Sequence, residues 1–479
     1  MEQVQFAGNK VNSRHMKSQM QPVFCNRTLN MKRINHIGLD MDLTLVRYKA
    51  ENFEALAHRI MCEKLVTNKG YPNAILNLKF NFKGAIRGLV IDKAKGNVLK
   101  LSRHTAIRLS AHGTEIIDFS KQNRIYKSTY IDIKDRHYDK IDTTFSISFA
   151  TLFAQLVDLK EGECKSAIPD FMTLAEDLNA VLDEAHRDGS LKNQVRENLD
   201  QYIIKDREVV DGIERYMKHN KKFFIITNSD YNYAKLLLDY AITPYTKHSG
   251  GWQDLFSYVI VRANKPNFFF EDNPFLRIDT KTGKIGAAVH DDEVLSPGIY
   301  ESGNANRFTE ELGLEPDEVL YIGDHIYGDV VRIKKDCAWR TALVVEELDH
   351  EIKSIKRAEP YARQISDLMA KKIPLESEID QLISKKIETG RSADEKKINA
   401  LIKKAMELDK KISPLIKKQQ NLFNPQWGEI MRTGIEESYF AYQVERFACI
   451  YTARLSHLLK MSPRTYYRSM KRPLPHEMV

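Results

Sequence analysis

The chain has 479 residues, 42% hydrophobic and 29% charged, enough apolar material for two or three globular domains and too much for a largely disordered chain. Its five cysteines, Cys25, Cys62, Cys164, Cys337 and Cys449, show no paired spacing, which argues against a structural zinc site and against a disulfide framework. The net charge of +8 suits a pocket for phosphate esters; lysine doublets such as Lys371-Lys372, Lys403-Lys404 and Lys417-Lys418 read as solvated helix faces, so no nucleic-acid partner is expected. No stretch approaches the roughly 20 apolar residues of a membrane helix. The first residues carry Glu2, Lys10, Arg14 and Lys17 without an apolar signal segment. A reduced cytoplasmic protein without membrane contact is the expectation.

Residues 1–30 read as an irregular lead-in. The run from Ile34 to Leu39 reads as a buried strand that ends in Asp40-Met41-Asp42-Leu43-Thr44. Phe53, Leu56, Ala57, Ile60, Met61 and Leu65 then fall at helical spacing, and Gly70-Tyr71-Pro72 stops the helix. Residues 76–204 change character. Short β-like runs, Leu89-Val90-Ile91 and Asn97-Val98-Leu99, give way to helical patterns near 150, as in an inserted α+β subdomain.

Phe223–Ile226 reads as a second buried strand, ending in Thr227-Asn228-Ser229-Asp230, with Ser229 or Asp230 capping the next helix. Tyr258–Val261 leads to Asn264-Lys265-Pro266. A hairpin excursion spans about 270–295. Val319–Ile322 leads to Gly323-Asp324-His325-Ile326-Tyr327-Gly328-Asp329, and Ala342–Val345 follows. Strands alternating with helices predict an α/β fold with a doubly wound parallel sheet built from residues 31–75 and 205–350.

Residues 361–420 read as a charged helical hairpin, either an oligomerisation arm or a helix pair packed on the core. One stripe is Leu375, Ile379 and Leu382; the other is Ile398, Leu401, Ala405, Leu408, Ile412 and Leu415, with Ser392 and Glu395 as a capping box. Residues 421–479 hold Trp427, Tyr439, Phe447 and Tyr451 and read as C-terminal helices packed on the core.

In a doubly wound sheet the carboxyl ends of the strands share one edge. Asp40 and Asp42, Thr227 and Asn228, Lys265, and Asp324 with Asp329 can therefore converge. Asp40 and Asp324 supply hard oxygens suited to Mg²⁺. Lys265 adds a positive charge and Thr227 a hydroxyl. Together they make a trap for a phosphoryl dianion. One aspartate attacks phosphorus and the other moves the proton. Singly, each group has an ordinary explanation: a helix cap, a surface lysine, a turn aspartate. The ordered set of four strand ends is what carries the reading.

That set resembles the haloacid dehalogenase superfamily of phosphatases. The longer segments Asp40-Met-Asp-Leu-Thr-Leu-Val-Arg-Tyr-Lys, Thr227-Asn-Ser-Asp-Tyr, Asp279-Thr-Lys-Thr-Gly-Lys and Tyr321-Ile-Gly-Asp-His-Ile-Tyr-Gly-Asp resemble the cytosolic purine 5′-nucleotidases. Ala111-His112-Gly113, Gly189-Ser190-Leu191-Lys192 and Pro475-His476-Glu477 also fit, so the likeness runs from about residue 30 to the end.

The resemblance implies a haloacid dehalogenase core with a cap, hydrolysing IMP and GMP through an aspartyl-phosphate. It makes Asp40 the nucleophile and Asp42 the acid–base, with Thr227 and Lys265 completing the catalytic set. It gives Mg²⁺ to Asp40, the backbone carbonyl of Asp42 and Asp324, with Asp329 close behind. Asn228, Asp183, His186 and Lys192 become substrate residues, and a homo-oligomer, dimer or tetramer, is implied. Asn179 stands where the family has an arginine, and Thr114-Glu115 where it has an aromatic–Asn pair. An aspartyl-phosphate could also pass its phosphoryl group to a nucleoside. The rival readings are a phosphatase for another phosphomonoester, such as a sugar phosphate, and an interaction protein built on the helical hairpin.

Overall fold

The computed structural model describes residues 23–126, 130–290, 292–390, 395–471 and 474–477. Its ten-stranded sheet is made of β1 (Val23–Cys25), β2 (His36–Leu39), β3 (Lys222–Ile226), β4 (Tyr258–Val261), β5 (Phe275–Ile278), β6 (Ile285–Ala288), β7 (Gly298–Ser302), β8 (Val319–Gly323), β9 (Arg340–Val344) and β10 (Ile450–Thr452). The spatial order is β1-β10-β9-β8-β2-β3-β4-β7-β5-β6. From β10 across to β7 every neighbouring pair is parallel. The edges are antiparallel: β1 on one side, the β5–β6 hairpin on the other. The architecture is mixed α/β around a largely parallel sheet.

Strand side chains alternate between two cores. Ile37, Leu39, Ile225 and Ile322 pack with the helical residues Val209, Ile213 and Leu237. Phe224, Ile226, Ile260 and Tyr321 pack with Phe308, Ile333 and Trp339. Gly38 permits this second layer, because a Cβ there would come within 2.4 Å of the Phe224 ring and 2.6 Å of Tyr321.

Helix α1 (Ala50–Lys69) follows β2 and closes at Gly70, whose φ of 72° lets its N–H reach the Leu65 carbonyl. The insertion opens with an antiparallel five-stranded sheet, ordered Glu115–Ile116, Ile107–His112, Asn97–Leu101, Leu89–Asp92, Tyr138–Lys140. Helices α2 (Ile147–Glu161), α3 (Phe171–Arg187) and α4 (Ser190–Glu197) complete it, and α1 lies against α3 and α2. Beyond β3 comes α5 (Tyr231–Ala241), capped by Asp230, whose carboxylate accepts the Tyr233 N–H. The hairpin consists of α6 (Leu348–Thr389) and α7 (Glu395–Gln420).

Three expectations change. The lead-in is not irregular to residue 30: Val23–Cys25 forms the sheet edge, and Leu29–Asn30 pairs with Tyr466–Tyr467. The C-terminal segment is not only helical, because β10 enters the sheet between β1 and β9. The first hairpin helix starts at Leu348, with Pro360 and Pro374 inside it, because Leu348, Glu351, Ser354 and Ala358 bury one continuous face at its base. Ser392 of the expected capping box lies outside the described residues. Among the described residues no helix is long and apolar enough to cross a membrane.

Candidate active site

Adjacent parallel strands carry the site. β2 releases Asp40 beside β8, where the Asp40 N–H still donates to the Ile322 carbonyl at 2.8 Å. Asp40 Oδ1 is pinned twice, by the Met41 N–H at 2.7 Å and by the Lys265 ammonium at 2.8 Å. Lys265 spends its other hydrogens on Asp329 Oδ1, at 2.8 Å, and on the Tyr321 hydroxyl, at 3.1 Å. Tyr321 in turn donates to the Ile226 carbonyl. The lysine's backbone is also fixed, since Asn228 accepts its N–H at 2.6 Å and donates to its carbonyl at 3.0 Å.

Asp42 sits on the other flank. Tyr48 donates to one carboxylate oxygen at 2.6 Å and Ser229 to the other at 2.9 Å. Thr227, fully buried, reaches the second oxygen at 3.5 Å and accepts the Ser229 N–H at 3.1 Å. Tyr48 is backed by the Tyr233 hydroxyl at 3.2 Å.

Asp324 leaves β8 into a volume shared with the insertion. Thr143 donates to its Oδ2 at 2.8 Å, and Arg87 donates to its backbone carbonyl at 2.8 Å. Arg87 is itself held by Thr144 at 3.0 Å and by Glu347 at 2.7 Å. Asp329 sits in the turn Ile326–Val331, where its Oδ2 accepts the His325 N–H at 3.1 Å. Gly323 makes room for it: a Cβ there would lie 2.3 Å from the Asp329 carboxylate.

Burial governs the charges. It pushes the Asp40 carboxyl well above the usual carboxylate range, against the pull of Lys265 and with a further push from Asp329, Asp324 and Asp42. Burial pushes Asp324 up to about 6, with Arg87 opposing. It works to lower Lys265, but Asp329 and Asp40 outweigh it and hold the ammonium well above its ordinary value. The carboxylate oxygens of Asp40, Asp324 and Asp329 lie within 4.8 Å of one another. Three clustered carboxylates against one ammonium, all hard oxygen donors, fit a small divalent cation.

These groups line a cavity of about 770 Å³ that also includes Phe145, His186, Arg187, Lys192, Asp230 and Tyr327. Lys192 pairs with Asp230 at 2.5 Å and lies over the Tyr233 ring. Burial pushes the His186 imidazole down, with Lys192 adding to it. Of the residues named from sequence, Asp40, Asp42, Asn228, Lys265, Asp324, Asp329, His186 and Lys192 share this cavity, with Thr227 directly behind Asp42. Asp183 does not join them: it is exposed on α3, three residues before His186, and is absent from the lining. Thr114 is elsewhere too, bonded to Asp158 at 2.6 Å. The aromatic faces in the cavity are Phe145 and Tyr327.

Sequence reasoning missed Tyr48, Ser229 as a partner of Asp42, Thr143, Arg87 and Phe145. Tyr48 and Ser229 stand inside quoted motifs and could have been found there. Thr143, Arg87 and Phe145 come from the insertion, where nothing local marks them.

The sequence model of the 5′ nucleotidase family matches residues 23–479. The chain belongs to the 5′-nucleotidase family. The protein is thus an enzyme of the phosphoric monoester hydrolase class, and its acidic trio accords with the divalent-metal dependence the family suggests. It is similar to a 5′-nucleotidase domain-containing protein of Dictyostelium discoideum, 26% identical over 463 residues that cover 95% of this chain and 75% of the relative. It is similar also to the 5′-nucleotidase domain-containing protein 2 of Rattus norvegicus, 26% identical over 470 residues, 95% of this chain and 80% of the relative.

Proposed function

We propose that the chain is a Mg²⁺-dependent nucleoside 5′-monophosphatase of the haloacid dehalogenase type, acting on IMP and GMP. Residues 31–75 and 205–350 serve as its core, 76–204 as its cap, and 361–420 and 421–479 as a hairpin and a C-terminal segment added to that core. The observation that carries the reading is the division of labour between the two aspartates. Asp40 Oδ1 is pinned by Met41 and Lys265, which leaves Oδ2 to attack. Asp42 is held by different donors on the opposite flank, free of Lys265.

Asp40, Asp324 and the backbone carbonyl of Asp42 would hold the metal with Asp329 beside it, and the bound ion neutralises the phosphoryl charge. Lys265 favours the ionised form of Asp40 against burial and offsets the incoming dianion. A carboxylate oxygen of Asp40 bonds to phosphorus, and the nucleoside oxygen leaves with a proton from Asp42. Water then bonds to phosphorus as Asp42 takes its proton, releasing phosphate and restoring Asp40. Phe145 and Tyr327 offer faces for a base, and Lys192 exchanges Asp230 for the substrate phosphate. The preference for a 6-oxopurine rests on the family resemblance alone, since Asp183, the carboxylate expected to accept the purine N1–H, stands exposed outside the cavity.

The test is phosphate release with Mg²⁺ over IMP, GMP, AMP, CMP and sugar phosphates, for wild type and Asp40→Asn. IMP and GMP give the highest kcat/KM, Asp183→Ala leaves that preference unchanged, and Asp40→Asn is silent on all. Equal rates across the four nucleotides overturn the purine reading. Release from sugar phosphates alone overturns the nucleotide reading, and near-normal turnover by Asp40→Asn overturns the mechanism.

A further inference from the structure

A second cavity lies behind the two aspartates Asp42 and Asp324. It holds about 470 Å³ and forms where four stretches of chain meet: the start of α1 at 49–51, the insertion at 82–87, the entry into α6 at 346–351, and the segment 423–430 that follows α7. Its walls are chiefly apolar: Phe82, Ile86, Ile147, Ile204, Phe423 and Ile430. None of the six lines the cavity that contains Asp40.

The acidic groups in the depth of this chamber already have partners. Glu347 accepts two hydrogen bonds from the buried Arg87, at 2.7 and 3.1 Å. Glu346 pairs with Arg47 at 3.0 Å. Glu351 accepts the N–H groups of Ile430 at 2.7 Å and Met431 at 3.1 Å. With its carboxylates satisfied from within the chain, the depth favours an apolar guest.

The mouth is different. Its exposed side chains include the basic Lys49, Lys83 and His350, with Glu51 the exposed acid among them. Lys49 donates to the Asp200 carbonyl at 2.7 Å, and among the described residues neither lysine pairs with a carboxylate. The chamber is thus basic at its opening and apolar inside.

Two of its walls lead to the active site. Tyr48 lines the chamber and donates its hydroxyl to Asp42 at 2.6 Å. Arg87 lines it too, and donates to the Asp324 carbonyl at 2.8 Å.

We propose that this chamber binds a fatty acid, with the carboxylate at the mouth beside Lys83, Lys49 and His350 and the chain between the apolar walls. A methylene takes about the 30 Å³ of a water, so a twelve-carbon chain needs roughly 360 Å³ and fits. A nucleotide fits less well, because the polar edges of its base and ribose would face apolar walls. A cationic amphiphile would put its charge among three basic side chains. A chain seated in the chamber packs against Tyr48 and Arg87 and restrains the groups that hold Asp42 and Asp324, so binding raises phosphate release. The site stands apart from the proposed nucleotidase activity; only this effect on turnover rests on it.

The test uses the full chain and laurate below its micelle concentration, read by calorimetry and by displacement of cis-parinaric acid, a fluorescent fatty acid. Laurate binds once per chain at micromolar concentration. Dodecanol, with the same chain and no charge, binds at least about fivefold more weakly. Ile204→Trp fills the chamber and abolishes binding. Lys83→Glu, a change on an exposed side chain that keeps the wild-type circular dichroism, weakens laurate by about fivefold or more and leaves dodecanol as it was. Laurate raises phosphate release from IMP by the wild type and not by Ile204→Trp. Absence of laurate binding overturns the proposal, as does dodecanol binding as tightly as laurate, or an unchanged laurate affinity in Lys83→Glu. Sedimentation with phosphatidic acid vesicles in place of laurate binding assigns the basic mouth to a membrane surface and overturns it too. Laurate that binds without changing phosphate release overturns the coupling to the aspartates. A chain that binds laurate and releases no phosphate from nucleotides supports the chamber and overturns the nucleotidase reading instead.

Discussion

At the scale of single residues, the site works by fixing its carboxylates with named donors while leaving Asp40 Oδ2 open. Asp42 accepts its two short hydrogen bonds on different oxygens, from Tyr48 and Ser229, with Thr227 farther off at 3.5 Å. Bonds to a charged group are worth about 1.5–3 kcal/mol each. Tyr48→Phe removes the shorter of the two, so kcat falls at least tenfold on nucleotides, whose leaving oxygen needs a proton. On p-nitrophenyl phosphate, which leaves unprotonated, the formation of the aspartyl-phosphate is nearly unchanged. Single-turnover kinetics on both substrates check this; equal losses on both mean that Tyr48 only supports the fold. The aspartates, Lys265 and Asp324 were legible because strand ends announce themselves by an apolar run that stops. Thr143 and Arg87 were not, because the insertion brings them to Asp324 across 181 and 237 residues of sequence.

At the scale of elements, α1 and α2 meet through a buried carboxyl. Glu54 is fully buried, accepts the Ser148 N–H at 2.6 Å at the start of α2, and has its Oε1 without a partner among the described residues. Burial pushes it from the ordinary 4.5 up to about 7, with the Ser148 bonds opposing. A raised carboxyl pKa means that the folded chain holds a proton the unfolded chain has released. Stability from this group is complete below about pH 4.5 and is lost as pH rises to about 7, by an amount on the order of 3 kcal/mol. Glu54→Gln, which stays neutral, abolishes that decline and is the more stable form at pH 8. Urea unfolding from pH 4.5 to 8 on both forms measures the difference. Long periodic segments, such as α1 and the hairpin, were legible in sequence. β1 and β10 were not, since three residues carry no period and their partners lie far away.

At the scale of the whole molecule, the acidic trio couples metal binding to folding. Asp40, Asp324 and Asp329 repel one another across less than 5 Å, so a cation that binds them only when folded raises stability by mass action. The Tm of wild type rises with Mg²⁺ and returns in EDTA, while that of Asp324→Ala is indifferent to both. A wild-type Tm that ignores Mg²⁺ defeats the assignment. The parallel alternation was legible because helices and strands take turns along the chain; the closing of the sheet edge was not. In the sheet, β1 bonds only to β10, and β10 sits between β1 and β9. Residue 23 therefore waits for residue 452 before it has a neighbour. On the ribosome, Val23–Cys25 emerges long before its partner, and a chain interrupted before residue 450 leaves that strand unpaired and the β9 edge of the sheet unfilled.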